Sequence, residues 1–313
     1  MVVPVYDEID ALPTFHTELV EAATRWHVDA APTPRIEIVY VDDGSVDGSG
    51  EYLEKLHLDA PELVRVVTLR RNFGKAAALA AGFDTASGRL LVTLDADGQD
   101  VPAEVQKLLD AIADGCDVVA GWRRTRSDRR SKRWASRAYN AATRWLTGLD
   151  LHDFNTGLKA YRREVVEEMP MYGELHRFVP VLAHDLGFAV GEVAVDHRPR
   201  QAGRSKYLSV TRFPKTLLDL LTVLFLTRFA DRPLHLFGGI GLAMSALGGA
   251  FLVYLSLLKL VTGVGIGQRP LLLFGILLVL LGGQLVGIGF LGDVIRHSTA
   301  RREIPYRVRR TLP

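Results

Sequence analysis

Three oxygen-bearing side chains follow a short apolar segment near position 95. The segment Leu90 to Leu94 is typical of a buried strand, and Asp95, Asp97 and Gln99 come directly after it. Carboxylate and amide oxygens are the ligands that hard divalent cations such as Mg²⁺ and Mn²⁺ prefer, and these cations also bind phosphates. In an open α/β sheet, ligands bind beyond the carboxyl ends of the strands. The pattern therefore predicts a metal site for a nucleotide or nucleotide sugar, with a plain polar turn as the alternative.

Two further predicted strands also end in polar residues. Tyr6 and Glu8 follow the first strand, and Asp42 and Asp43 follow the second. Acidic side chains there can accept hydrogen bonds from a nucleobase or from ribose hydroxyls. Residues 45–48 also fit the alternative of a turn that caps the next helix. Three polar strand ends on neighbouring strands would line one cleft, which capping alone does not predict.

Strands and helices alternate through the first part of the chain. Strands are predicted to begin at Val2, Ile36, Val64, Arg89 and Val118, and helices at Glu8, Ser49, Gly74 and Pro102. Such alternation is typical of a mostly parallel sheet flanked by helices. We therefore expect an α/β fold in which the carboxyl ends of the strands gather the polar side chains.

The composition changes after about residue 207. Segments 236–258 and 271–292 contain no charged residue, and a short glycine-rich loop separates them. Each is long enough to cross a bilayer as a helix, although two buried core helices would match the same pattern. We expect a transmembrane hairpin. The net charge of +2 gives no general attraction to polyanions, so no nucleic-acid partner is expected.

Positive charges predict how the hairpin is oriented. Arginine and lysine are concentrated before the first span and after the second, whereas the intervening loop carries only Lys259 and Arg269 at its ends. Positive flanks favour the cytoplasm, so we expect an inner or plasma membrane protein with its α/β domain and both termini cytoplasmic. The first strand begins at Val2, so no signal peptide is expected ahead of it.

Four regions follow from these patterns. The segment before the first span mixes leucine and phenylalanine with basic residues, as interfacial helices do, although an ordinary packing helix has the same pattern. The expected division is an α/β domain at 1–207, juxtamembrane interfacial helices at 208–233, a transmembrane hairpin at 234–295 and a basic tail at 296–313.

Seven motifs resemble those of family 2 glycosyltransferases with the GT-A fold. In chain order they are Val3-Pro4-Val5-Tyr6-x-Glu8, Val41-Asp42-Asp43-Gly44-Ser45-x-Asp47-Gly48, Arg71-Asn72-x-Gly74-Lys75-x-x-Ala78, Asp95-Ala96-Asp97-x-Gln99-Asp100, Gly121-Trp122-Arg123, Asp153-Phe154-Asn155-Thr156-Gly157-Leu158-Lys159-Ala160-Tyr161-Arg162-Arg163 and His197-Arg198-Pro199-Arg200-x-x-Gly203-x-Ser205-Lys206-Tyr207. Together they resemble the branch that makes polyprenyl-phosphate sugars, which includes dolichyl-phosphate mannose synthase and bacterial glucosyl bactoprenyl-phosphate synthases. The chain departs from the family at Asp7, where Asn is usual, and at Gly98, where eukaryotic relatives carry Leu.

The resemblance implies an activity and a set of site residues. The activity is inverting, metal-dependent transfer of a hexose from a nucleotide sugar, with UDP-glucose and GDP-mannose as leading donors, to a polyprenyl phosphate such as undecaprenyl phosphate. The metal, Mg²⁺ or Mn²⁺, is expected on Asp97 and Gln99 with Asp95 nearby. Catalytic roles are implied for Asp95, Asp97, Asp153 and Arg123, and nucleotide-sugar contacts for Pro4, Tyr6, Glu8, Asp42, Asp43, Lys75 and Asp95.

A lipid phosphate acceptor needs cations rather than a general base. Its second pKa is about 6, so it is largely dianionic at neutral pH. Arginine binds phosphate through two parallel hydrogen bonds. We expect Asp153 and Asn155 at the sugar or acceptor edge, and a solvated basic rim remains the alternative role for each arginine. The expected acceptor-phosphate residues are Arg123, Arg198, Arg200, Ser205 and Lys206.

Small residues in the two spans predict close helix packing. Gly241, Ser245 and Gly249 recur every four residues on the first span, as Gly283 and Gly287 do on the second. One face can pack the two spans together, which leaves the other for a neighbouring chain. The resemblance implies a homotetramer.

Two other functions remain open from the sequence. One is a membrane glycosyltransferase that acts on a hydroxyl acceptor, and the other is a non-catalytic membrane scaffold. Intact Asp95, Asp97 and Gln99 argue against the scaffold. Two spans with Gln284 as their conspicuous polar residue argue against a transporter.

Overall fold

The computed structural model describes residues 1–28, 35–124, 141, 143–144, 147–169, 178–199, 222, 225, 229, 232–263, 265, 267 and 269–300. The chain forms two compact units, Met1–Val223 and Leu224–Pro313. Most of the predicted juxtamembrane segment 208–233 and of the basic tail 296–313 lies outside the described residues.

A seven-stranded mixed sheet forms the centre of the first unit. Its strands lie in the order β3-β2-β1-β4-β6-β5-β7. The pairings are parallel except those of β6, which runs antiparallel to β4 and β5. The predicted α/β fold with a mostly parallel sheet is therefore confirmed. The strands are β1 (Val2–Val5), β2 (Ile38–Asp42), β3 (Val64–Thr68), β4 (Leu90–Thr93), β5 (Val118–Arg123), β6 (Lys159–Arg162) and β7 (Val190–Val195).

Helices cover both faces of this sheet. Neighbouring residues of a strand point to opposite faces, so Val2 and Val3 of β1 enter different apolar clusters. Val3 packs in the same cluster as Phe15, and Val2 in the same cluster as Phe83. The helices of this unit in the described residues are α1 (Leu12–Ala23), α2 (Ser49–Asp59), α3 (Lys75–Thr85), α4 (Val105–Ala113), α5 (Arg163–Glu168) and α6 (Val179–Asp185), with a 3₁₀ turn at Pro102–Glu104.

The strand directions bring five chain segments to one edge of the sheet. Strands β1, β2, β4 and β5 end at this edge, because β1, β2 and β4 are parallel and β5 is reversed twice relative to β4 through β6. The antiparallel strand β6 begins at the same edge. The polar residues that follow β1, β2 and β4 therefore lie near the first residue of β6.

The second unit contains two long apolar helices, α7 (Pro233–Thr262) and α8 (Pro270–Ala300). Segments Pro233–Thr262 and Pro270–Arg296 are long and apolar enough to cross a membrane. The two helices pack closely because glycines remove side chains between them. A Cβ atom added at Gly241 would lie 2.5 Å from the carbonyl oxygen of Gly282, and one at Gly248 would lie 2.6 Å from that of Gly275.

The predicted small-residue faces are only partly those that pack together. Gly241 and Ser245 do face the second helix, but the next contact along α7 is Gly248 rather than Gly249. A strict four-residue repeat drifts around a helix of 3.6 residues per turn, so a three-residue step restores the contact. Cβ atoms added at Gly249, Gly283 and Gly287 would meet no atom of the described residues within 4 Å.

Candidate active site

Asp95 follows β4 and forms an ion pair with Lys75, the first residue of α3. The Nζ atom of Lys75 donates to Oδ1 of Asp95 at 2.5 Å. Burial tends to raise the pKa of Asp95, but the positive charges of Lys75, Arg123 and Lys159 outweigh it and hold the pKa below its usual value. Asp95 is therefore a carboxylate at neutral pH, able to accept a cation or a hydroxyl hydrogen bond.

The buried carboxyl group of Asp100 lies beside Asp95. Its Oδ2 atom accepts a hydrogen bond from the backbone N–H of Asp95 at 3.2 Å. Burial, followed by the negative charge of Asp95, raises the pKa of Asp100 to about 7. Two neighbouring carboxyl groups whose pKa values move apart carry fewer negative charges than the sequence suggests.

The loop carrying Asp97 and Gln99 is held by its own side chains and by the segment after β7. The backbone N–H of Gln99 donates to Oδ1 of Asp97 at 3.1 Å. The backbone N–H of Arg198 donates to the carbonyl oxygen of Gln99 at 2.9 Å, and Nε2 of Gln99 donates to the carbonyl oxygen of Arg198 at 3.3 Å. With its amide nitrogen bonded in this way, the oxygen is the atom of Gln99 suited to a cation.

The residues present fit a cation that is shared with a substrate. Within the described ranges, no three His, Cys, Asp or Glu side chains cluster closely enough to hold a metal by themselves. Mg²⁺ is commonly bound by one or two carboxylates together with substrate phosphates and water. Asp95, Asp97 and Gln99 match that donor set, and the Lys75 ammonium already lies against one of these carboxylates.

Arg123 and Asp153 form a bidentate ion pair. Nε and Nη2 of Arg123 donate to the two carboxylate oxygens of Asp153 at 2.7 and 3.1 Å, and Nη2 also donates to the carbonyl oxygen of Asn155 at 3.0 Å. Two nitrogens of Arg123, a predicted acceptor-phosphate residue, thus hold the loop after residue 150. An acceptor phosphate would have to be met by the third nitrogen, Nη1.

The second predicted acceptor residue, Arg198, also contacts a carboxylate. Its Nη1 atom donates to both carboxylate oxygens of Glu18, on α1, at 3.0 and 2.8 Å. The other predicted acceptor residues, Arg200, Ser205 and Lys206, lie outside the described residues.

Asp42 and Asp43 organise the backbone around the predicted nucleotide site. The two carboxylate oxygens of Asp43 accept hydrogen bonds from the N–H groups of Phe73 and Gly74 at 2.7 and 2.9 Å. Asp43 therefore anchors the loop that leads into Lys75. Oδ1 of Asp42 accepts a hydrogen bond from the N–H of Ser45 at 2.9 Å and forms the turn after β2.

Residues 45–48 join two loops and lead into helix α2. The hydroxyl of Ser45 accepts a hydrogen bond from the N–H of Asp7 at 2.9 Å, and Oδ2 of Asp47 accepts one from Ile9 at 3.0 Å. The predicted cap is present in part, because Gly48 occupies the N-cap position of α2 and Oδ1 of Asp47 accepts a hydrogen bond from the N–H of Ser49, the first residue of that helix, at 3.0 Å. These contacts hold the half-buried Tyr6 and Glu8, next to Pro4 of β1, at the site edge.

The first helix begins later than predicted. The helix predicted from Glu8 begins only at Leu12, because Pro13 lacks the N–H that would bond the Ile9 carbonyl and is tolerated only in the first turn of a helix. Asp7 adopts φ 50°, a left-handed conformation that Asp and Asn tolerate better than most residues. This explains why Asp can stand where the family usually has Asn.

Sequence analysis did not assign roles to three residues that shape the site. A Cβ atom added at Gly157 would lie 2.5 Å from Oδ2 of Asp95. Glu192 on β7 accepts hydrogen bonds from the N–H groups of His152 and Asp153 at 2.8 and 2.9 Å. Lys159 is buried and donates to the carbonyl oxygen of Thr156 at 2.7 Å. Gly157 and Lys159 stood within a motif, but their contacts depend on strand pairing.

Comparisons with known proteins agree with this fold. Residues 1–169 match the family model of Glycosyl transferase family 2. The chain is 34% identical over 308 residues to a dodecaprenyl-phosphate galacturonate synthase of Rhizobium johnstonii, covering 96% of this chain and 88% of the relative. It is 38% identical over 296 residues to an undecaprenyl-phosphate 4-deoxy-4-formamido-L-arabinose transferase of Pseudomonas savastanoi pv. phaseolicola, covering 94% and 84%.

A solved structure has a similar fold. Glucosyl-3-phosphoglycerate synthase from Mycobacterium tuberculosis, in complex with Mn²⁺, UDP-glucose and phosphoglyceric acid, matches with a TM-score of 0.51 and 18% identity over 71% of this chain and 76% of that chain. This chain belongs to glycosyl transferase family 2, and it is a glycosyltransferase.

Proposed function

We propose that this protein transfers a sugar from a nucleotide sugar to a polyprenyl phosphate at a membrane, with inversion at the anomeric carbon and with Mg²⁺ or Mn²⁺ as cofactor. One observation carries the proposal. The same chain contains an ionised Asp95 that pairs with Lys75 beside the Asp97 loop and two helices long enough to cross a membrane. Both relatives named above act on polyprenyl phosphates by name, and they match along nearly the whole chain.

The site residues support a direct displacement. An oxygen of the acceptor phosphate attacks the anomeric carbon, and the bond from that carbon to the nucleoside diphosphate breaks. Asp97 and Gln99 would hold the cation, which would supply positive charge for the leaving diphosphate. Asp95 would contact the donor or the cation. Once Asp95 is engaged in this way, Lys75 can turn to the diphosphate.

The donor sugar requires a narrower proposal than the sequence offered. The relatives are named for galacturonate and 4-deoxy-4-formamido-L-arabinose, so the expected donors UDP-glucose and GDP-mannose lose support. We propose a nucleotide-linked galacturonate or formamido-arabinose as the first donors to test.

The deciding experiment supplies purified protein in nanodiscs with undecaprenyl phosphate and a panel of four nucleotide sugars. These carry galacturonate, 4-deoxy-4-formamido-L-arabinose, glucose and mannose. We expect mass spectrometry to detect one polyprenyl-phosphate sugar, and we expect a chelator to prevent its formation. A glycolipid formed on a hydroxyl acceptor would support the alternative transferase. Binding of nucleotide sugars with no turnover of any of the four would support a scaffold.

The acceptor site can be separated from the donor site by one substitution. Arg200→Ala should raise the KM for polyprenyl phosphate by about tenfold or more, because an unpaired phosphate charge would remain. Nucleotide binding should be unchanged. The control is Arg25→Ala, which breaks an exposed pair with Glu21. Equal loss of donor and acceptor binding in Arg200→Ala would move this residue to the donor site.

We further propose that the hairpin has both ends in the cytoplasm and associates with other copies of the chain. One exposed face of α8 carries five residues that lie three or four positions apart: Leu280, Gly283, Gln284, Gly287 and Leu291. Glycines allow close approach of helices in lipid, and a polar amide there gains from a partner. This face supports the expected homotetramer.

The double variant Gly283→Leu with Gly287→Leu should contain more monomer and less oligomer than the wild-type protein. The reason is that leucine side chains would fill the surface where backbones approach. Native mass spectrometry and cross-linking in detergent and in nanodiscs measure the change, and Gly265→Leu, between the helices, is the matched control. A strictly monomeric wild-type protein in both media would contradict the oligomer.

A further inference from the structure

Lys159 is a buried cation that the proposed mechanism does not use. It is the first residue of β6 and is only 3% exposed. Lysine is almost never fully buried unless its ammonium group has a partner. Here Nζ donates to the carbonyl oxygen of Thr156 at 2.7 Å, so the side chain turns back to the loop from which its own strand emerges.

Strand pairing places Lys159 on the same sheet face as Asp95. Lys159 lies opposite Thr93 of β4, and directly opposed residues of antiparallel strands share a face. Side chains two residues apart along a strand also share a face. Two residues beyond Thr93 is Asp95, and two residues before Lys159 is Gly157. The close approach of Gly157 to the Asp95 carboxylate agrees with this register.

A second hydrogen bond ties the same loop to the sheet. Oγ1 of Thr93 donates to the carbonyl oxygen of Gly157 at 2.7 Å. Thr93 and Lys159, which are opposed across the sheet, therefore hold the consecutive carbonyl groups of Gly157 and Thr156. Further back in the loop, Asp153 and the carbonyl oxygen of Asn155 meet Arg123.

Resting on the proposed function, we infer that Lys159 is a positioning residue for the donor site. With Thr93 it fixes residues 156–157 of the loop, so that the backbone of Gly157 supports the Asp95 carboxylate.

The charges around Lys159 are those of the site itself. Burial and the charge of Lys75 lower the pKa of Lys159 to about 7, whereas Asp153 and Asp95 oppose this shift. The hydrogen bond to Thr156 does not depend on this pKa, because a neutral amine also carries N–H groups that donate.

Lys159→Met removes the donor and keeps a side chain of similar length. We expect kcat to fall roughly 10- to 100-fold because small displacements of reacting groups are costly. The KM for polyprenyl phosphate should change by less than about threefold, since this residue does not bind the acceptor. General damage to the fold would instead lower thermal stability and impair acceptor binding too.

Thr93 provides the second arm of the test. Thr93→Val removes the other tether and should produce the same split between kcat and KM, whereas Thr93→Ser keeps the hydroxyl and most activity. If both residues act through one loop, the double variant Lys159→Met with Thr93→Val should lose no more than about threefold beyond the worse single variant.

The outcomes separate this inference from the proposed function. A wild-type protein inactive with every donor of the panel contradicts the function. If the wild type is active, two results contradict the positioning role. One is a kcat of Lys159→Met within about twofold of the wild-type value, and the other is a double variant whose loss equals the product of the two single losses. If Lys159→Met does not fold, Thr93→Val decides, and full activity of that variant overturns the inference.

Discussion

Asp97→Asn should remove most turnover while leaving the protein folded. Asparagine keeps the shape of the side chain and an oxygen for the hydrogen bond from the Gln99 N–H, but it loses the charge that would hold a cation. Loss of one such electrostatic contact to a developing negative charge costs roughly 100- to 1,000-fold in rate. The measurement is the kcat for formation of the polyprenyl-phosphate sugar, with mass spectrometry used to detect the product. Thermal unfolding of the variant is recorded alongside.

Asp84→Asn is the matched control for this substitution. Asp84 is exposed on α3, so the same change there should leave both turnover and stability intact. Near-normal activity of Asp97→Asn, or full activity of the wild type in excess chelator, would refute the assignment of a cation to this loop.

Gly157→Ala should be nearly as damaging, although it adds a single methyl group. That methyl carbon would lie 2.5 Å from Oδ2 and 2.6 Å from Cγ of Asp95, so the loop or the carboxylate must move. Either movement disturbs the ion pair of Asp95 with Lys75. A displacement of about 1 Å at a reacting site can cost on the order of 100-fold in rate. Steady-state kinetics with saturating donor and acceptor measure the loss.

The same alanine substitution at Gly239 serves as the control. A Cβ atom there would meet no atom within 4 Å in the part of the chain that the structure describes, so activity should not change. If Gly157→Ala were as active as Gly239→Ala, the close contact with Asp95 would not matter to catalysis.

The front of the sheet could be predicted because its information is local. Strands β1 to β5 appear as apolar runs, and Asp95, Asp97 and Gln99 follow one of them directly. The carboxyl ends of parallel strands share an edge, so the polar strand ends could be expected in one cleft.

The rest of the fold could not be predicted because long-range pairing decides it. Strand β6 opens with a lysine and carries no clear apolar alternation, and β7 contains Gly191 and Glu192. The importance of Gly157 to the site follows only from the register between β4 and β6. Likewise, the loop before α1 is held by hydrogen bonds that its N–H groups donate to side chains some 40 residues away.

The order of the strands has a consequence for how the chain folds during synthesis. Strand β6 lies between β4 and β5 in the sheet, although it comes after both along the chain. Until residue 162 has left the ribosome, β4 and β5 each present an edge that β6 will later cover. Unpaired strand edges are templates for aggregation, and late, non-local pairing is slow. The nascent chain therefore passes through a stage at which both edges need protection, before either membrane-length helix has been made.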